Sequence, residues 1–295
     1  MGYLTPSMRP AVGVVVPFRG SPVAVERLWS ALRCLALRDG DEVVVSDNTA
    51  NGAAAQLARD PVRVVQATRE RSAYHARNEG ARAVSAEWIL FLDADCRPSA
   101  GLLDAYFAEP IPGDCGALAG QILGEPGQRS FAARYARSRR LFDHADGLIR
   151  ADGGGAAAGN LFVRKAAFDA IGGFTEGIRS GGDLDLCRRL QAAGWHLGFR
   201  PDAVVHHRHR ATLRSLLAAI ARYGAGARWL NERYAGSSPP WPLRLGLATA
   251  ARAAARSLRQ RQVGEALFRS VDGLGLVAHR IGYAGGNRAG RVKSI

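Results

Sequence analysis

Four short apolar runs punctuate the first hundred positions, each apolar on both of its faces. They are Val12-Gly13-Val14-Val15-Val16, Val43-Val44-Val45, Val62-Arg63-Val64-Val65 and Trp88-Ile89-Leu90-Phe91-Leu92. Runs of this length, bounded by Pro17 or by the polar turn 46–52, predict buried strands rather than half-exposed ones. Between them lie segments with a helical period: Leu28, Leu32 and Leu35 recur at helical spacing, and residues 72–86 are rich in alanine. Pro98 is expected at the first turn of a further helix carrying Leu102, Leu103, Tyr106 and Phe107. This alternation predicts an α/β fold whose first hundred residues form a parallel sheet of the nucleotide-binding type.

The pattern continues with strands at 117–123 and 161–163, an Arg-rich helix at 131–142 between them and a break at Gly153-Gly154-Gly155. A helix over 183–193 closed by Gly194, a last strand at 203–207 and a helix capped by Thr212 follow. Beyond Leu213 the period is wholly helical. The expected organisation is a tail over 1–11, one α/β domain over 12–210 and a helical region over 211–295. In the segment 243–258, helical geometry gathers Leu243, Leu247, Ala251, Ala254 and Leu258 on one face and Arg252, Arg256 and Arg259 on the other. Such a stripe is expected to pack on the main domain, with peripheral contact to an anionic membrane as the alternative.

Composition narrows the class. The 295 residues suffice for one sizeable domain with an appendage, and 47% hydrophobic with 22% charged residues reads as globular. Cys34, Cys96, Cys115 and Cys187 are widely spaced and form no C-x-x-C pair, which favours a reducing compartment over a disulfide framework. No secretory leader pattern and no uninterrupted run of 18 apolar residues is found, so a cytoplasmic protein is expected, peripheral on the membrane at most. The formal charge of +14, with 40 Lys and Arg of which nearly all are Arg, gives an attractive field for phosphates. Aromatics make up only 7% and are not interleaved with the basic residues, so nucleic acid is not an expected partner.

The chemistry concentrates at Asp93-Ala94-Asp95, directly after the run 88–92. Open α/β sheets bind ligands at the carboxyl ends of their strands. Two carboxylates there suit a hard cation and the phosphate oxygens it bridges. Other features follow in a fixed order: Val14-Val15-Val16-Pro17, Val45-Ser46-Asp47-Asn48, Ala76-Arg77-Asn78-Glu79-Gly80, Gly172-Gly173-Phe174, and the segment 182–190 that opens with Gly182-Asp183-Leu184-Asp185. In this order and spacing the chain, from about Val12 to about His209, resembles the GT-A fold glycosyltransferases of family 2.

The resemblance implies a nucleoside-diphosphate sugar donor, UDP-, GDP- or dTDP-linked, held through Mn²⁺ or Mg²⁺ at Asp93 and Asp95, with Asp95 the direct ligand. It further implies a histidine ligand past the last strand, for which His207 is preferred and His206 and His209 are alternatives. Asp183 matches the general base that takes a proton from an acceptor hydroxyl, free or carried on a lipid, in a single displacement with inversion. The competing reading makes Asp183 only a helix cap, and Gly182 stands where the family usually has Glu. Pro17 and Asp47, with Phe18 and Arg19 beside them, match positions around the base and ribose. Arg77 and Asn78 match a pair that contacts base or diphosphate, or else lie solvated on a helix surface. Gly159 and Asn160 match an element bordering the donor sugar or acceptor. The Q-x-x-R-W motif of processive synthases is missing, and Arg222-Tyr223-Gly224 and Arg228-Trp229 stand in that region, so one sugar per acceptor is expected, in glycoconjugate or cell-surface polysaccharide synthesis. A sugar nucleotidyltransferase would want a Gly-rich basic loop where 16–21 offers a poor one, and a basic nucleic-acid- or lipid-binding scaffold would have no need of Asp95 or Asp183.

Overall fold

The computed structural model describes residues 9–141, 155–240 and 242–292. Phe142, Gly153, Gly154 and the first eight positions of the expected tail lie outside them. The four apolar runs form strands β1 (Val12–Phe18), β2 (Glu42–Asp47), β3 (Val62–Gln66) and β4 (Trp88–Leu92), all mutually parallel where they pair. Helix α1 (Pro22–Leu32) connects β1 to β2, and α2 (Ala73–Arg82), capped by the Ser72 hydroxyl on the Tyr74 N–H, connects β3 to β4. With β1 lying between β2 and β4, the chain reverses direction across the sheet at β1, and the carboxyl ends of these strands open onto one edge.

Past β4 the sheet is mixed. Strands β5 (Cys96–Pro98), β6 (Cys115–Gly124), β7 (Asn160–Arg164) and β8 (His196–His207) complete the order β3-β2-β1-β4-β7-β6-β8-β5, with β7 antiparallel to both of its neighbours and β5 antiparallel to β8. Pro98 therefore ends an edge strand instead of opening a helix, a place where its missing N–H costs the ladder nothing. The helix expected there is α3 (Leu102–Tyr106), one short segment further on. Strand β8 begins earlier than residue 203 because it pairs along β6 from Cys115 onward, crossing a register shift at Gly120/Gln121. Helices α4 (Phe131–Ser138), α5 (Lys165–Ala170) and α6 (Gly182–Ala192) cover the sheet.

Alternation along the strands builds two cores. Val14, Val16, Leu90 and Leu92 face one layer together with Phe162 and Tyr106, while Val15, Ile89 and Phe91 face the other with Phe168 and Phe174. Arg9, assigned by the pattern to the tail, is already anchored: its buried guanidinium pairs with Asp41 at 2.6 Å and Asp104 at 2.7 Å. None of the four cysteines forms a disulfide.

The helical region consists of α7 (Leu213–Arg233), capped by Thr212 as expected, α8 (Leu243–Arg259) and α9 (Val263–Ala284). The α8 stripe does not pack on the main domain. Helix α8 leans on α9, and α9 on α7, so much of the stripe stays outside. The α7–α9 contact is backbone to backbone: a Cβ at Gly224 would collide with the His279 carbonyl and one at Gly282 with the Ala221 carbonyl. Small residues are the only ones that permit this approach.

Two ties bind this region to the α/β domain. Residues 286–290 thread between two loops, with the Arg71 N–H donating to the Gly290 carbonyl at 2.8 Å, Ala289 N–H to Gly177 at 2.9 Å and Arg179 N–H to Asn287 at 3.0 Å. The second tie is Asp185, fully buried in α6. It accepts from Thr175 Oγ1 and Tyr234 Oη at 2.7 Å each and from Arg189 Nε and Arg233 Nε at 2.9 Å each. Burial pushes its pKa up, but these hydrogen bonds and cations outweigh it and hold the carboxyl below its usual range. A depressed carboxylate stabilises the fold fully above its unfolded pKa of about 4, and this contribution fades as pH falls through the folded value. Asp185→Ala is expected to cost about 3–5 kcal/mol in urea unfolding at pH 7. The variant's stability should also fall less steeply than that of the parent between about pH 5 and pH 2.

Candidate active site

Asp93, Ala94 and Asp95 leave the end of β4 at the open edge, where the Asp93 N–H reaches toward the Gly159 carbonyl at 3.4 Å. A Cβ at Gly159 would stand 3.0 Å from Asp93 Oδ2, so the bare backbone there leaves room for the carboxylate. Arg77 of α2, only 5% exposed, pairs with Asp93 Oδ1 through Nη2. Its Nε–H is buried and has no acceptor among the described residues. Neither Arg77 nor Asn78 lies solvated on a helix surface; both are buried.

Asp95 meets the far strand. The register Cys96↔His207 brings His207 beside it, with Nε2 3.4 Å from Asp95 Oδ1, and Arg210 reaches Oδ2 at 4.0 Å. Burial lifts the Asp95 pKa and Asp93 adds to the lift, while His207 and Arg210 pull it the other way. The period of two along β8 turns His206 to the opposite face, against Arg97 and Glu125, where burial lowers its pKa. His209 stands behind His207, the two Nδ1 atoms 3.4 Å apart, and burial together with the neighbouring His207 and Arg137 pushes its pKa down to about 4. Of the three histidines, His207 is the one that faces the aspartates.

Among the described residues no three His, Cys, Asp or Glu side chains are gathered into a ready metal cage. The separation of the Asp95 and His207 donors is nevertheless close to that between adjacent ligands on one ion, given bonds of about 2.0–2.2 Å. Hard cations that keep water and substrate phosphates in their shell need few protein donors. The donor set of Asp93, Asp95 and His207 fits such a cation.

Asp183 occupies the first turn of α6, but the cap is Gly181 in the left-handed region at φ 88°, with no side-chain cap bond. The reading of Asp183 as a mere cap is thereby removed. Its Oδ1 instead receives the Tyr74 hydroxyl at 3.4 Å. Tyr74 explains the missing Glu at position 182: a Cβ there would stand 2.8 Å from Cζ of the Tyr74 ring, so the ring fills the space a side chain at 182 would use. Burial, and secondarily the charge of Asp183, raises the Tyr74 pKa far above its ordinary value, so the phenol remains a donor. The Arg77 guanidinium lies 5.7 Å from the centre of the Tyr74 ring. Asp183, Tyr74, Arg77 and Asp93 thus form one continuous chain of side chains.

Several expected contacts with a donor are turned inward. The Asp47 carboxylate, fully buried, accepts from Thr49 N–H at 2.9 Å, Thr49 Oγ1 at 2.6 Å and Ala54 N–H at 2.7 Å, so it shapes its own loop. Asn78 clamps the 172–174 turn, donating to the Phe174 carbonyl and accepting from the Phe174 N–H, both at 2.9 Å. Asn160 donates to the Gln121 and Ala203 carbonyls of the sheet and accepts from the Tyr106 hydroxyl of α3. Phe18 belongs to the core and Pro17 is half-buried beside Ser46. Arg19 alone of this group is exposed, and burial of part of its stem together with the charge of Arg71 lowers its pKa.

Sequence reasoning missed Tyr74, Arg210 and Arg71. No spacing rule links Tyr74 to a residue 109 positions away, although the aromatic at the start of an otherwise small, polar helix was a signal.

A family profile described as "Glycosyltransferase like family 2" matches residues 10–226. The chain is 30% identical over 236 residues to the pre-mycofactocin glycosyltransferase of Mycobacterium tuberculosis, covering 78% of this chain and 49% of that one, so it spans about half the length of that relative. It is 25% identical over 237 residues to glycosyltransferase AglE of Haloferax volcanii, covering 77% of each. Among solved structures it is similar to the mannosyltransferase PcManGT of Pyrobaculum calidifontis in complex with GDP-Man and Mn²⁺, with a TM-score of 0.64 at 21% identity, over 94% of this chain and 88% of that one. The fold is that of the GT-A enzymes. The chain belongs to the family 2-like glycosyltransferases, which removes the nucleotidyltransferase and scaffold alternatives.

Loss of the Tyr74 hydroxyl in Tyr74→Phe is expected to lower kcat about tenfold, the worth of one charge-assisted hydrogen bond, with little change in donor affinity. Gly182→Ala, which displaces the ring, should act in the same direction. Steady-state kinetics beside donor titration check both.

Proposed function

We propose that the protein transfers a single sugar from a nucleoside-diphosphate sugar to an acceptor hydroxyl, with inversion at the anomeric carbon. The observation that carries this reading is the meeting, at one sheet edge, of Asp93 and Asp95 with a buried arginine whose Nε–H lacks an acceptor, joined through Tyr74 to Asp183. A buried guanidinium with a spare N–H, paired with one of two neighbouring carboxylates, suits a diphosphate oxygen. Asp95 and His207, with Asp93, are the residues that would hold Mn²⁺ or Mg²⁺, which when bound supplies Lewis-acid stabilisation to the diphosphate leaving group. The Mn²⁺ in the GDP-Man complex of PcManGT supports that assignment.

Asp183 takes the proton of the acceptor hydroxyl as that oxygen forms its bond to the anomeric carbon, and the bond from that carbon to the diphosphate breaks with its electron pair leaving on the diphosphate. The Tyr74 hydroxyl holds one carboxylate oxygen of Asp183 and leaves the other to accept the proton. Asp183 lies in the first turn of α6, near the positive end of the helix. Asp47 and Asn78 contribute by fixing the loops at 47–54 and 172–174 that border the pocket. The acceptor is a hydroxyl of a glycoconjugate or cell-surface polysaccharide precursor, which receives one sugar.

The test is a panel of UDP-, GDP- and dTDP-sugars, with binding and nucleotide release followed with and without Mn²⁺. Asp95→Asn is expected to abolish metal-dependent donor binding. Asp183→Asn is expected to keep donor binding while turnover falls by about 10²- to 10⁴-fold. Metal-dependent donor binding that survives in Asp95→Asn, or full activity in Asp183→Asn, would overturn the assignment of that residue.

A further inference from the structure

Seven large apolar side chains stand exposed on the outer helical pair. On α9, Val263, Leu267, Leu274 and Ile281 are 59%, 52%, 47% and 66% exposed. At 100° per residue they fall within about 40° of one another, a single stripe along the whole helix. On α8, Leu245, Leu247 and Leu258 are 62%, 36% and 57% exposed. Leu247 sits on the flank nearest α9, its Cδ2 3.6 Å from where a Cβ of Gly273 would be, and Leu258 falls about 20° from it on α8, so these two adjoin the α9 stripe, whereas Leu245 lies about 160° away among the arginines. Scattered leucines on a surface need no explanation, but a contiguous stripe shared by two helices does.

The charges around the stripe have one sign. Arg244, Arg252, Arg256 and Arg259 are exposed along the outer side of α8, and none makes an ion pair among the described residues. From residue 243 to 264 there is no Asp or Glu. The acidic residues of α9, Glu265 and Asp272, are turned away and neutralised by Arg139 and Arg269, at 3.2 Å for Arg139–Glu265, 2.9 Å for Arg139–Asp272, 2.7 Å for Arg269–Glu265 and 3.6 Å for Arg269–Asp272.

We infer that the α8–α9 pair is a docking surface for an anionic lipid bilayer, its leucine stripe entering the boundary between head groups and acyl chains and its arginines meeting the lipid phosphates. The charge pattern selects this occupant over a second copy of the chain, because a two-fold contact lays the same patch on itself, and this patch offers unpaired arginines but no free carboxylate to meet them. Among the described residues no helix is long and apolar enough to cross a membrane, so the pair lies on the bilayer rather than through it. The inference does not depend on the proposed donor or base, because binding to lipid needs no turnover.

The test is co-sedimentation of the full chain with phosphatidylcholine vesicles containing about 30% phosphatidylglycerol, against pure phosphatidylcholine. Binding is expected to be at least tenfold tighter to the anionic vesicles and to weaken as salt is raised. Leu267→Asp with Leu274→Asp, and separately Arg252→Glu with Arg256→Glu, are each expected to reduce it at least tenfold while the melting temperature and donor binding stay unchanged. Failure of the parent chain to bind anionic vesicles would overturn the inference. So would binding by both pairs of variants equal to that of the parent, or a parent dimer that the leucine variants convert to monomer.

Discussion

The organising constraint is the burial of charge at the open edge of a parallel sheet. Arg77 is removed from water almost completely, and Asp93 answers only part of its hydrogen-bonding capacity. A buried guanidinium with a vacant N–H is costly, and folds keep such groups where a ligand completes them. The surrounding architecture serves that placement. The reversal of strand order at β1 opens the edge, Gly159 clears space for Asp93, and the antiparallel β5–β8 pairing carries His207 and Arg210 to the other side of Asp95.

A second economy appears around Asp183. The side chain at 182 has been given up, and an aromatic ring from α2, more than a hundred positions earlier in the chain, occupies its volume and supplies the hydrogen bond. The same ring stacks on Phe174, their centroids 5.6 Å apart, which in turn is fastened by Asn78. Asp183, the 172–174 turn and α2 are therefore set by one packed cluster rather than by independent loops.

Much of this was legible from the chain alone. The apolar runs located β1 to β4, and β1, β2 and β4 are buried along most of their length. Strand β3, expected to be buried as well, is half-exposed through Arg63 and Gln66 because it forms the edge of the sheet. The acidic pair after β4 lies at the sheet edge where Arg77, His207 and Arg210 gather. Alternation along β8 suffices to separate His207 from His206 once the strand's register is known, but the register comes from pairing with β5, a strand of three residues that Pro98 disguised. Asp47, Asn78 and Asn160, residues the resemblance assigns to donor or acceptor contact, instead spend their polar atoms on backbone and side-chain groups of their own surroundings. Polar residues at strand ends and helix faces suit turn-making as well as ligand contact, and only tertiary packing decides between them. The fate of the 243–258 stripe was likewise invisible, since it depended on α9 reaching α7 first through Gly224 and Gly282.

The thread of residues 286–290 couples parts of the molecule that the chain order keeps far apart. It is hydrogen-bonded on one side to Arg71, next to the helix that carries Arg77, and on the other to Gly177, Arg179 and Ser180, just ahead of Asp183. Neither loop can shift without breaking main-chain bonds to the strap between them. The segments leading to Arg77 and to Asp183 are consequently held at a fixed spacing, like two jaws joined by a common spring.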